Sequence, residues 1–191
     1  MQHERQTAQQ ITNGVPGAFE AYIDTYGPRL HRLARQYTAN SADAEDLTQE
    51  IFVALYSSMA GFRGESSLST WSYRIALNHC LKSAGQNQPV TVPYSCAHEE
   101  AEAEERGPMG QAARRELTDQ VQTALSGLSA DHHAVVLLHE MHEMTYAECA
   151  AVLQVPVGTV KSRLSYAFRR LRISLQSYVQ SDDVLPEANY L

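Results

Sequence analysis

Residues 157–172, VGTVKSRLSYAFRRLR, carry Lys161, Arg163, Arg169, Arg170 and Arg172 and no acid, in a 191-residue chain whose formal net charge is −7. Cationic side chains concentrated on one helix suit phosphate recognition, because Lys and Arg displace the counterions of a polyanion. With Val160, Leu164 and either Phe168 or Leu171 forming an apolar stripe, Thr159, Lys161, Ser162, Ser165, Tyr166, Arg169 and Arg170 remain for the other faces. Lys161, Ser162, Ser165 and Tyr166 offer donors to base edges in a major groove, and Arg169, Arg170 and Arg172 suit phosphates. The competing reading is a solvated basic face on an ordinary bundle helix.

Other constellations point to other chemistry. His132, His133, His139 and His142 lie near Glu143 and Cys149, and His139 and His142 are spaced to share a metal. Against this, the run AVVLL between them marks a packed helix, and surface or capping histidines are the simpler assignment. Asp46 and Glu50 are one helical turn apart, but without a cleft they read as a surface face rather than an acid–base pair. The chain lacks a P-loop, a dinucleotide fingerprint, a nucleophile elbow and HExxH, which argues against an enzyme. No cofactor is implied.

The elements that must position these residues all read as helices. AFEAYIDTYGPRLHRLARQY has apolar residues at helical spacing, with Gly27-Pro28 expected to bend or divide it. Asn40 and Ser41 are suited to cap DLTQEIFVALYSSM, whose apolar face holds Leu47, Ile51, Leu55 and either Phe52 or Met59. GFRGESS reads as a loop, and Ser69 or Thr70 as the cap of TWSYRIALNHCLKSAG. Residues 85–112 hold an acidic run, prolines and glycines without an apolar period, the composition of a solvated linker. RRELTDQVQTALSGL and DHHAVVLLHEM form two further helices. Thr145 and Glu148 make a T-x-x-E capping box at the start of TYAECAAVL, and Gln154-Val155-Pro156 ends that helix before the basic one. Two helices with a short break, the second basic, are the signature of a helix-turn-helix.

The expectation is an all-α protein with two small helical domains: an N-terminal extension (1–16), a first domain (17–85), a flexible acidic linker (86–115), a helix-turn-helix domain (116–177) and a tail (178–191). The hydrophobic content of 43% is ordinary for a folded core. The polar start MQHERQTAQQ has no secretory core, no apolar run is long enough to span a bilayer, and Cys80, Cys96 and Cys149 make no CxxC pair. These features fit a cytoplasmic protein with reduced thiols and no direct membrane insertion.

Two long stretches carry a family resemblance. LSADHHAVVLLHEMHEMTYAECAAVLQVPVGTVKSRLSYAFRRLR resembles the promoter −35-binding domain of extracytoplasmic-function (ECF) sigma factors, and DAEDLTQEIFVALYSSMAGFRGESSLSTWSYRIALNHCLK resembles their −10-binding domain. The motifs DAEDLTQE, STWSYRIALN and PVGTVKSRL occur in the family's order and spacing. The resemblance implies a protein that binds core RNA polymerase, through the β′ coiled coil and β, and directs it to stress-type promoters. It places Asp43, Glu45, Asp46, Gln49 and Glu50 against the β′ coiled coil, where an acidic face favours a basic protein and repels DNA.

The same resemblance implies that the FRGESSLSTW loop and the following helix take melted −10 DNA. Phe62, Arg63, Ser66 and Ser67 lie in that loop, and Trp71, Arg74, Asn78 and Lys82 on the helix. Aromatic faces stack on unpaired bases and basic groups follow phosphates, although core packing is the simpler role for Trp71. Tyr166 and Phe168 stand where the family often has basic residues. An anti-sigma factor, often membrane-anchored, is a further implied partner. The alternative is a regulator that binds duplex DNA through its helix-turn-helix and is no polymerase subunit. It accounts for the basic helix but leaves the acidic helix and the GESS loop without a role.

Overall fold

The computed structural model describes residues 2–86 and 108–179, with side chains placed over 3–85 and 117–176. Among them there are helices and no strands. The stretch read as a linker falls mainly on residues 87–107, and the tail mainly on 180–191; both lie outside the described residues.

The first unit contains α1 (Gln2–Thr12), α2 (Ala18–Arg35), α3 (Ser41–Ser58) and α4 (Leu68–Gln86), with a 3-10 turn over Met59–Gly61. Helices α2, α3 and α4 pack pairwise around Tyr22, Leu30, Leu33, Leu47, Ile51, Leu55, Leu68 and Tyr73. Each such aliphatic side chain contributes about 1.5–3 kcal/mol when fully buried. Met59, at the start of the 3-10 turn that follows α3, joins Leu47, Ile51 and Leu55 in the core at 1% exposure, whereas Phe52 is only partly buried. Asn40 caps α3, its side-chain oxygen accepting from Asp43 N–H at 2.8 Å.

Two expectations about this unit are corrected. Helix α2 is not divided at Gly27-Pro28 but runs through Pro28. Interior proline costs about 3 kcal/mol, yet Tyr22 precedes it and Leu30, Leu33 and Ala34 follow it in the same core, so packing on both sides holds the helix together. The cap of α4 is Ser67 rather than Ser69 or Thr70: Ser67 Oγ accepts from Thr70 N–H at 3.0 Å. Within the stretch read as an N-terminal extension, Gln2–Thr12 form helix α1, which buries Ala8 and Ile11.

The second unit contains α5 (Pro108–Ser126), α6 (Ala130–Val136), α7 (Tyr146–Leu153) and α8 (Val157–Val179). Helix α5 starts at Pro108, within the stretch expected to be unstructured. The helix expected over DHHAVVLLHEM changes to a π turn over Leu137–Met141, where His142 N–H reaches Leu137 O at 3.1 Å. Thr145 and Glu148 form the capping box, with Glu148 Oε2 accepting from Thr145 N–H at 2.9 Å. Gln154 closes α7 in the left-handed region, at φ 55°. Val135, Leu137, Leu138, Cys149, Val160, Leu164 and Ala167 make the core, with Phe168 and Leu171 packed at its edge.

The two units touch. Helix α7 lies against α4, the Tyr73 hydroxyl pairs with His142 Nδ1 at 2.9 Å, and the Tyr37 ring meets His133.

Candidate nucleic-acid interface

The basic helix presents its candidate residues outward. Lys161, Ser162, Ser165, Tyr166, Arg169 and Arg170 are exposed and Thr159 is half-buried, opposite the buried line of Val160, Leu164 and Ala167. The tight link Gln154–Val155–Pro156 sets α8 against α7, since Pro156 O accepts from Thr159 and Val160 at the start of α8. Arg169 lies over the Tyr166 ring at 5.4 Å, and the His132 ring meets the same ring at 4.5 Å in a tilted contact. Arg163 instead pairs with Asp131 of α6, which removes it from the outward set. A cationic ridge with small hydroxyls at its start matches what a duplex groove and its phosphates require.

The loop before α4 encloses a cavity of 490 Å³ lined by Phe62, Arg63, Gly64, Ser66, Trp71 and Arg74 among others, with Ala151 of α7 at its edge. Trp71 is only 8% exposed and its indole meets Phe62 edge-on at 5.5 Å, so it forms a wall of the cavity rather than a free stacking platform. Ser67 is committed to the cap of α4 and to Thr70 Oγ1 at 2.8 Å. Arg63, Asn78 and Lys82 are exposed and Arg74 is half-buried; Arg74, Asn78 and Lys82 share one side of α4. A cavity beside a line of cationic and amide groups offers the aromatic walls and phosphate partners by which single strands are bound in general.

Asp43, Glu45, Asp46, Gln49 and Glu50 are all exposed on α3. Their side of the helix continues into Val53 and Tyr56, at 68% and 52% exposure. With Phe19 and Phe52 these two line an apolar groove of 310 Å³. The sequence pattern conceals this extension, because Val53 and Tyr56 fall outside the apolar period of α3 and look like ordinary surface positions. A charged patch bordering exposed apolar surface is the composition of a protein-docking face.

The histidines do not converge. His132 pairs with Ser129 Oγ, His139 with Met144 O, and His142 with Tyr73, while His133 turns to Tyr37. The π turn separates His139 from His142, which a regular helix would have aligned. Burial pushes the Cys80 thiol up to about 12, and burial together with Glu148 raises Cys149 to about 11, so both stay protonated at neutral pH.

Taken together, a helix-turn-helix with a cationic ridge and a second helical unit with a loop cavity and a separate acidic face define a DNA-binding protein that also docks to another macromolecule. Residues 22–89 match Sigma-70 region 2, and residues 118–171 match Sigma-70, region 4. The chain is 32% identical over 173 residues to ECF RNA polymerase sigma factor SigM of Mycobacterium tuberculosis, covering 88% of this chain and 84% of the relative. It is 28% identical over 187 residues to RNA polymerase sigma-H factor of Pseudomonas aeruginosa, covering 92% and 95% of the two chains. Among solved structures it is similar to CnrH in complex with the cytosolic domain of CnrY, with a TM-score of 0.68, 26% identity, and 91% and 97% of the chains covered. The chain belongs to the ECF RNA polymerase sigma factors. It is therefore a transcription initiation factor, a partner of core RNA polymerase and promoter DNA, and not an enzyme. Among the described residues no helix is long and apolar enough to cross a membrane.

Proposed function

We propose that the three surfaces divide the work of initiation. The acidic face of α3, Asp43 to Glu50 with Val53 and Tyr56 beside it, docks on core polymerase. The loop cavity with Arg74, Asn78 and Lys82 receives the melted −10 strand, and the outward side of α8 reads the −35 duplex. The observation that carries this reading is the separation of charge: the acidic face lies on α3, while the cationic groups lie on other helices, those for the −10 strand on α4 and those for the −35 duplex on α8 of the second unit. A surface of one sign attracts one partner and repels the other, so polymerase and DNA are steered to different sides. Two helical units, residues 17–85 and 116–177, joined by an acidic linker over 86–115, allow both contacts at once.

Control by an anti-sigma factor held at the membrane fits the same geometry. CnrH is seen with the cytosolic domain of a partner, and here α7 lies against α4 with Ala151 at the edge of the loop cavity. A closed arrangement of this kind keeps the −10 surface partly covered, and a partner that holds it closed inhibits the factor.

The test is transcription in vitro with sigma-free core polymerase and promoter fragments of the source genome. Discrete transcripts that need both proteins are the expected result. Specific duplex binding by the chain alone, without transcripts, would instead identify a helix-turn-helix regulator. Isolation from uninduced cells should yield a 1:1 complex lacking polymerase; recovery only with polymerase would count against the inhibitor.

A further inference from the structure

Helix α1 precedes the residues matched to Sigma-70 region 2, which begin at residue 22. Its first turns nevertheless hold the loop that surrounds the 490 Å³ cavity. Glu4 Oε1 accepts from the Leu68 backbone N–H at 2.9 Å, across 64 residues of sequence. One of the orphan donors at the start of α4 is thereby satisfied from another helix, while Ser67 Oγ takes Thr70 N–H. Arg5 Nη2 donates to Gly64 O at 3.3 Å. Gly64 is buried at φ +65°, and a Cβ placed there would collide with the Arg5 side chain. The loop thus has a backbone conformation suited to glycine, and an arginine fills the space that a side chain would take. Ala8 and Ile11, at 4% and 2% exposure, anchor α1 in the core beside the Met59–Gly61 turn.

We infer that Glu4 and Arg5 are positioning residues for −10 recognition: they fix the loop that receives an unpaired base, and so set how sharply bases are discriminated there. This rests on the assignment of the loop and α4 to the −10 strand. Phe62 anchors one side of the loop against Trp71 and Ser66 Oγ donates to Ser67 O at 3.3 Å, but between them Arg63 and Glu65 are exposed and Gly64 has no side chain to fix its place. Two contacts from a core-anchored helix hold it before DNA arrives, and a pocket that is already ordered separates a fitting base from a misfitting one better than one that must be ordered on binding. Glu4 and Arg5 touch no base; they act through Leu68 N–H and Gly64 O.

The experiment uses the full chain on core polymerase. The probes are fluorescent single-stranded oligonucleotides of a transcribed promoter's non-template −10 region, carrying each of the four bases at each position in turn. Glu4→Ala and Arg5→Ala should lower the ratio of best to worst base about fivefold or more at one or two positions. Melting temperature should fall by no more than the few degrees that one lost capping bond costs, and −35 duplex binding should stay as in the parent. Glu4→Gln, which keeps an oxygen for Leu68 N–H, should restore most of the ratio. Unchanged ratios in both alanine variants would overturn the inference, as would a uniform loss at every position accompanied by a larger fall in melting temperature. The paired control is Arg74→Ala with Asn78→Ala. If this control weakens the oligonucleotides while Glu4→Ala and Arg5→Ala leave the ratios intact, only the positioning role falls. If the control also has no effect, the −10 assignment falls and the positioning role with it.

Discussion

Acidification should loosen the contact between the two helical units, and the size of the effect follows from two histidines. His142 Nδ1 meets the Tyr73 hydroxyl at 2.9 Å, while its buried Nε2 has no hydrogen-bond partner among the described residues. Burial, and then the charges of Arg32 and Arg29, lower its pKa from 6.5 to about 4. Burial takes His133, against Tyr37, from 6.5 to about 4 as well. In an opened chain both rings regain ordinary values, so the open form binds more protons than the closed one. The closed arrangement therefore keeps its full stability above about pH 6.5 and loses it progressively as pH falls toward 4. At pH 5.5, one unit below the ordinary value, the loss is about 1.4 kcal/mol per histidine, or about tenfold in the closed-to-open ratio. For both rings it approaches a hundredfold. Energy transfer between dyes on exposed Ser58 and Ser174, in a chain with Cys96 replaced, reads the change. Transfer should fall between pH 6.5 and 5, and the His133→Phe, His142→Phe double variant should be flat over that range. A wild-type chain with no pH dependence, or a double variant that keeps it, would refute the reasoning.

Reversing Asp46 and Glu50 to lysine should weaken competition for core polymerase at least about tenfold, with the loss shrinking at high salt. Circular dichroism should be unchanged, since both side chains are exposed; competition at full strength would remove the acidic face from the docking site. Lys161→Ala with Ser162→Ala should reduce binding to −35 duplexes while sparing core binding. Equal loss of both would indicate misfolding instead. Thr145→Ala removes one half of the capping box and should cost about 1 kcal/mol, a fall of about 2–4 °C in melting temperature.

Most of the helices can be placed from local rules. Asn40 before Ser41, and Thr145 three residues before Glu148, mark helix starts because the capping bond forms within a few residues. The 3.6-residue period identifies Leu47, Ile51 and Leu55, or Val160 and Leu164, as buried. That period also leaves Lys161, Ser162, Ser165 and Arg169 facing outward. The family motifs are equally local, each lying within one helix or one helix and its loop.

Features that depend on partners distant in the chain could not be read this way. Gly27-Pro28 forecasts a bend or a division of α2, and it is the packing of Tyr22, Leu30 and Leu33 on both sides of Pro28 that keeps the helix whole. Ser67 becomes the cap of α4, rather than Ser69 or Thr70, through the path of the loop that leads into it. The π turn at Leu137–Met141 rotates His139 and His142 toward different neighbours, one of them Tyr73, 69 residues away. Helix α1 shows the same limit. Its sequence is polar, with only Ala8 and Ile11 to bury, and nothing within residues 1–16 indicates that Glu4 will meet Leu68 N–H or that Arg5 will lie across Gly64. Helix starts and buried stripes are set by residues three or four apart, and are legible in one dimension. The shape of the loop cavity is set by groups about 60 residues apart, which come together only when the helices pack.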